Sequence, residues 1–267
     1  MENRMGNAGK IQENKPPEKS IENPEKKVQQ EGASMDEITG DLDDNLEKYK
    51  DGDQLLPDNT YVLNENRYET DEQGRPIHVE AKVERTPENP RDNEAQGKVG
   101  GKDRREGDQG GHIIGRDLSG DGGVGNLVPM DARINQSDYK RMENDIKRAL
   151  DEGHEVKVTV DFEYSGDSKR PDKIKSTVEI DGKKTEYAFD NNMDGSLEGR
   201  LQERYSGSDL EVVQGSLEET GGVISSIKDE YDAAGNLQET TVTITYVDAE
   251  TGKTMRVPVS ISAGGAT

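Results

Sequence analysis

Apolar residues recur at every second position in segment after segment of this chain, and turns rich in Gly separate the segments. Ile77, Val79, Ala81 and Val83 alternate with polar residues directly after Asp71-Glu72-Gln73-Gly74, with Tyr61-Val62-Leu63 and Arg67-Tyr68-Glu69-Thr70 before that turn. Residues 155–164, 174–180 and 184–189 repeat the pattern, the last two joined by Asp181-Gly182. Farther on, 223–231, 237–247 and 254–261 read the same way around Ala233-Ala234-Gly235-Asn236 and Glu250-Thr251-Gly252. A period of two matches the alternation of side chains across a strand, and Asp-Gly supplies the positive φ of a tight hairpin turn. A mixed or antiparallel sheet is therefore expected. The Tyr68–Arg75 and Tyr231–Asn236 stretches share a loose YD-repeat look, but two units are too few for a repeat architecture.

One segment breaks the period. Tyr139, Met142, Ile146, Ala149 and Leu150 recur at helical spacing, with Ser137 as the expected N-cap and Gly153 closing the far end. Before this helix, His112-Ile113-Ile114, a Gly-rich loop through Gly125 and Leu127-Val128-Pro129-Met130 predict a short irregular hairpin. Residues 85–110 lose all periodicity and read as a loop, long enough to point to function. The fold class is α+β.

The apolar supply limits how much of the chain this core can take in. Only 28% of residues are hydrophobic against 34% charged, with no Cys and no Trp, so neither disulfides nor thiolate metal sites contribute. Residues 1–50, interrupted by Pro16-Pro17 and Pro24, read as a disordered N-terminal linker, although Ile38, Leu42 and Leu46 predict a short helix over Met35–Tyr49. The expected division is a linker at 1–50, a folded domain at 51–192 and a β-rich C-terminal extension at 193–267. No apolar run approaches the roughly 18 residues of a membrane span. Met1–Lys10 lacks the hydrophobic stretch of a secretory signal. No membrane partner is expected, and the chain is either cytoplasmic or delivered by a route without a cleavable signal peptide.

The net charge of -22 argues against a nucleic-acid binder on bulk composition, because phosphate contacts draw on Lys and Arg. Its distribution changes that reading: 1–90 carries -10, 91–190 only -4, and 191–267 -8. The central segment is nearly neutral and holds about half the basic residues. There a hairpin with His112 at its start is followed by a helix with Asn135 at its entrance, the layout of a one-metal phosphodiesterase. An imidazole can take a proton from water at neutral pH, and magnesium prefers oxygen ligands and often takes only one or two from protein.

Four blocks make the pattern specific: Asp108-Gln109-Gly110-Gly111-His112-Ile113-Ile114, Asn126-Leu127-Val128-Pro129-Met130, Asn135, and Tyr139-Lys140-Arg141-Met142-Glu143. Together with Tyr164–Asp172 and the Asp181-Gly182 hairpin, they resemble the DNA/RNA non-specific endonuclease family, ββα-metal or His-Me finger nucleases, in the branch found as toxin modules of secreted bacterial proteins. The resemblance covers roughly residues 55–192. It implies a ββα-metal core, one Mg2+ ion, a DNA or RNA substrate, and an immunity protein as a further partner. It implies His112 as general base, Asn135 as the direct metal ligand and Glu143 as holder of a metal-bound water. It also implies Asn126 as a site-loop residue grouped with the catalytic set, Asp108 as shaper of the turn before the base, and Lys147 as a basic group facing phosphate. Older members of the wider family carry an Arg where Gln109-Gly110-Gly111 stands, so Arg104, Arg105 and Arg116 are the candidates for phosphate contact.

Each residue has a plainer reading when taken alone. His112 would be a structural histidine, Asn135 a helix-entry cap, Glu143 and Lys147 a solvated i,i+4 pair, and Arg104-Arg105 loop surface. His78 and His154 fit no constellation and read as surface. Two rival functions remain open at this level: an acidic protein that mimics nucleic acid or binds a basic partner, and a structural fragment of a secreted β-rich protein.

Overall fold

A computed structural model describes residues 46–51 and 54–262. Most of the expected linker and of the Met35–Tyr49 helix lies outside the described residues; Leu46–Tyr49 forms a 3-10 turn. The elements that follow are β1 (Thr60–Leu63), β2 (Asn66–Thr70), β3 (Pro76–Val83), α1 (Asn93–Lys98), β4 (Asp108–His112) and β5 (Leu127–Asp131). A π-helical turn, Ile134–Tyr139, then runs into α2 (Lys140–Asp151). After it come β6 (Val156–Glu163), β7 (Lys173–Ile180), β8 (Lys183–Asp190), α3 (Glu198–Arg204), α4 (Ser208–Thr220), β9 (Val223–Tyr231), β10 (Leu237–Val247) and β11 (Thr254–Ser262).

Among the described residues nine strands form one sheet in the order β11-β10-β9-β8-β7-β6-β3-β2-β1, and every neighbouring pair is antiparallel. The sheet is thus antiparallel throughout, not mixed. β4 and β5 make a separate two-stranded sheet. The expected turn at Asp181-Gly182 is present, with φ of 49° and 83°, the doubly positive pair that suits the twist of flanking strands.

The alternation places the cores. Val79, Ala81 and Val83 of β3 lie opposite Val160, Val158 and Val156 of β6, and the same face continues through Ile174, Val178, Tyr187 and Phe189. Met142, Ile146 and Ala149 of α2 close over it. A second cluster lies on the opposite face: Ala188, Ile227, Val242 and Val259 sit side by side across β8 to β11, covered by Leu201 of α3 and Val213 of α4. Among the described residues no helix is long and apolar enough to cross a membrane.

Three local expectations change. The 85–110 loop contains α1, capped by Asp92, whose carboxylate accepts from the Ala95 N–H at 2.9 Å; the helix buries none of its residues, so no apolar stripe marked it. Helices α3 and α4 stand where the pattern only weakened; α4 carries Gly215 and an exposed Val212, which blur its apolar face. Ser137 is not a cap: it lies inside the π turn, with its hydroxyl on the Arg133 carbonyl.

Candidate active site

The β4–β5 hairpin is held from three sides. Tyr61 and Tyr68 stack with ring centroids 5.1 Å apart, and their hydroxyls donate to the Gly125 carbonyl at 2.7 Å and to Asn126 Oδ1 at 3.0 Å. Tyr139 donates to the Ile113 carbonyl at 2.7 Å, tying the helix to the residue after His112. Asp108, which opens β4, accepts from Nε and Nη2 of a buried Arg170 guanidinium at 2.7 and 2.9 Å. The Tyr164–Asp172 block and the Gly-Gly-His block are therefore locked together by a bidentate ion pair, the strong geometry for such a contact.

Gly110 and Gly111 are required by packing. A Cβ at Gly110 would lie 2.7 Å from the Cα of Gln96, and one at Gly111 would lie 2.9 Å from Met130 Cε and 3.2 Å from Asn135 Oδ1. The glycines admit α1 and the asparagine.

Beside this hairpin lies a cleft of about 690 Å³ whose lining includes His112, Asn135, Glu143, Arg116, Lys140 and Lys147. His112 hydrogen-bonds to the Gly122 backbone, a contact that favours the protonated ring, while its Nε2 is buried with no partner among the described residues. The donor is therefore Nδ1, and the Nε2 lone pair is left to accept. Burial, with Arg116 and Arg91 adding repulsion, lowers the His112 pKa to about 4. The ring is neutral at neutral pH.

Asn135 is the second residue of the π turn, which has no side-chain cap, so helix capping does not account for it. Its Nδ2 donates to Gln109 Oε1 at 2.8 Å, which turns Oδ1 away as a free acceptor. Glu143 reaches the cleft one helical stretch later, where its Oε1 lies so close to Gly115 that a Cβ there would stand 2.8 Å away. Burial raises the Glu143 pKa to about 7, with Lys147 and Lys140 opposing and Asp117 adding to the rise. Among the described residues no group of three or more His, Asp or Glu side chains is placed to hold a metal ion. Asn135 and Glu143 bring an amide and a carboxylate oxygen to this cleft, the donor type that suits a hard cation keeping most of its water.

The remaining candidates divide. Arg116 lines the cleft with its guanidinium on Glu88 and the Asn89 carbonyl. Lys147 lines it too, paired with Asp117 at 2.9 Å. Arg104 borders it but spends its guanidinium on three backbone carbonyls, of Gln96, Gly97 and Asp108. Arg105 is exposed and outside the lining. Asn126 needs correction as a catalytic candidate: it is fully buried, Oδ1 accepts from Ile114 N and Tyr68 Oη, and Nδ2 donates to the Ile114 and Asp121 carbonyls. With its hydrogen-bonding capacity consumed by protein, it shapes the loop and does not reach the cleft. His78 pairs with Asp161 and His154 with Asp181, each at 2.6 Å, and neither histidine lines the cleft.

Arg91 and Lys140, both exposed, also line the cleft and were not singled out in the sequence. Lys140 follows Tyr139 within a quoted block, so its position was readable. Arg91 lies in the aperiodic 85–110 stretch, where spacing carries no signal.

Residues 57–182 match the family model for DNA/RNA non-specific endonuclease. The chain therefore carries a domain of that family, spanning β1 or its approach to the turn after β7. Over 123 residues it is 34% identical to the type VII secretion system protein EssD of Staphylococcus aureus strain USA300, and equally so to that of strain NCTC 8325. The match takes in 44% of this chain and 20% of the relative's length.

Proposed function

We propose that this chain is a magnesium-dependent endonuclease of the ββα-metal (His-Me finger) type that hydrolyses phosphodiester bonds of DNA, RNA or both. The observation that carries the reading is the buried, unpartnered Nε2 of a neutral, half-buried His112 in the same cleft as two unclaimed oxygen donors, those of Asn135 and Glu143. His112 Nε2 takes the proton from the attacking water, and the Nδ1 contact to Gly122 stabilises the imidazolium that forms. Asn135 would hold the ion directly and Glu143 through a bound water. When present, magnesium neutralises charge developing on the phosphate. The cations at the cleft, Arg116, Arg91, Lys140 and Lys147, orient the phosphate backbone and carry no base preference.

The domain assignment that fits this reading is a nuclease core over 51–192 and an extension over 193–267. Likeness to a secretion-system protein supports a role as the toxin module of a secreted effector, with a neutralising immunity protein in the producing cell. The acidic-mimic alternative draws on the net charge of -22, but it leaves the unpartnered imidazole without a purpose. Incubating the full chain with plasmid DNA and with RNA, with and without magnesium, separates the two. Degradation only with the metal supports the nuclease, whereas tight binding without degradation would reject it. Growth arrest on expression in a bacterium, relieved by His112→Ala, tests the toxin role.

A further inference from the structure

The extension strands β9 to β11 lie outside the matched domain, yet the face they turn toward the π turn is polar. Ser225, Ser226, Thr243 and Thr245 are all buried there. A bulge between Ile224 and Ser226 inserts Ser225 as an extra residue in β9, and bulges re-aim side chains. Ser225 Oγ donates to Asp138 Oδ2 at 2.9 Å and accepts from Thr245 Oγ1 at 2.9 Å. Asp138 is buried inside the π turn, three residues after Asn135, and its Oδ1 has no hydrogen-bond partner among the described residues. From β11, Arg256 donates to the Arg133 carbonyl at 3.1 Å, at the residue just before the turn.

These two ties grip the segment that carries Asn135 at its entrance and its middle, and the geometry of that segment matters. In a regular α-helix of 3.6 residues per turn, positions eight apart point about 80° from each other, whereas positions seven apart differ by only about 20°. A π turn absorbs one extra residue. Across it, Asn135 and Glu143 behave as a pair seven apart and face one cleft. An α-helical turn in its place would rotate Asn135 away from Glu143.

We propose that Ser225 and Arg256 are positioning residues that hold Ile134–Tyr139 in its π form, so that Asn135 and Glu143 can serve one metal ion. The inference rests on the reading of those two residues as metal-holding groups. It makes the extension part of the site's scaffold and assigns it a task that the matched domain does not contain.

The test is Mn2+ titration of the full chain, followed by electron paramagnetic resonance of the free ion, in Ser225→Ala, Arg256→Met, Asn135→Ala and Tyr205→Phe. Ser225→Ala and Arg256→Met should each weaken Mn2+ binding by about 10-fold, the effect usual for groups that orient a metal ligand. Ser225→Thr, which keeps the hydroxyl, should restore affinity. Tyr205→Phe removes a hydrogen bond to Thr240 on the other face of the same strands, and should leave affinity at the wild-type value. Unchanged affinity in Ser225→Ala and Arg256→Met, with Asn135→Ala weakened, would overturn the positioning role alone. Unchanged affinity in Asn135→Ala would overturn the ligand reading and this inference with it. If Ser225→Ala does not fold, Arg256→Met, which alters a half-buried side chain, carries the same comparison.

Discussion

The two faces of the sheet are built from the same alternation but are put to different uses. Toward α2, apolar side chains of β3 and β6 to β8 support a helix whose approach carries Asn135 and whose body carries Glu143. On the far side, β8 to β11 bury a smaller cluster under α3 and α4. The change of side happens within β8, where Phe189 belongs to the first core and the adjacent Ala188 to the second. The family match stops at residue 182, before that strand begins. A domain boundary drawn from similarity alone therefore cuts a continuous sheet, and the two cores share one strand as their common wall.

The largest expected effect lies on the first face. His112→Ala should lower cleavage by about 10²- to 10⁴-fold, the contribution of a general base, with circular dichroism unchanged. A folded mutant that cuts at the wild-type rate would remove the imidazole from the mechanism. The next effect compares the cores directly. Ile146→Ala in the first and Ile244→Ala in the second should each cost about 2–5 kcal/mol. Because β8 joins the cores, both variants should still unfold in one transition by fluorescence and by circular dichroism. Two separated transitions would make the extension an independent domain.

Two asparagines sharpen the contrast between scaffold and site within the first face. Asn126→Ala leaves buried partners unsatisfied and should cost about 1–3 kcal/mol, lowering the unfolding midpoint at any magnesium concentration. Asn135→Ala should leave the metal-free midpoint nearly in place and raise the magnesium required for cleavage, while Asn135→Asp keeps an oxygen ligand and part of the activity. A lowered midpoint with unchanged magnesium requirement in Asn135→Ala would make it a structural residue.

That pair also shows what could be read in advance. His112, Asn135 and Glu143 were legible because a motif fixes residue type and spacing together. Asn126 belongs to the same motif, but whether an amide spends its hydrogen bonds on protein or leaves them open depends on the fold of the loop back to Asp121 and on Tyr68, which is distant in sequence. The strands were legible because burial on one face writes a period of two. The π turn was not, since its extra residue is set by Ser225 and Arg256, remote in the chain. Helix α1 buries nothing and α4 has a blurred stripe, so neither left a periodic trace.

The smallest expected effect concerns the face of the sheet away from α2, where β3 meets β6. His78 Nδ1 lies 2.6 Å from Asp161, with Glu80 3.6 Å from the other nitrogen, and these contacts, Asp161 first, raise the His78 pKa to about 9. The folded value lies above the unfolded value of about 6.5. The pair's contribution is thus complete below about pH 6.5 and fades as pH rises through 9, because the folded chain then releases a proton that the unfolded chain has already lost. Both partners are partly exposed, with side chains 29% and 46% accessible, so solvent screening should hold the effect to a few tenths of a kcal/mol. His78→Gln should lower the unfolding midpoint slightly at pH 6 and leave it unchanged at pH 10. A loss of the same size at both values would assign the effect to packing between β3 and β6, and the charge on His78 would then have no part in holding the two strands together.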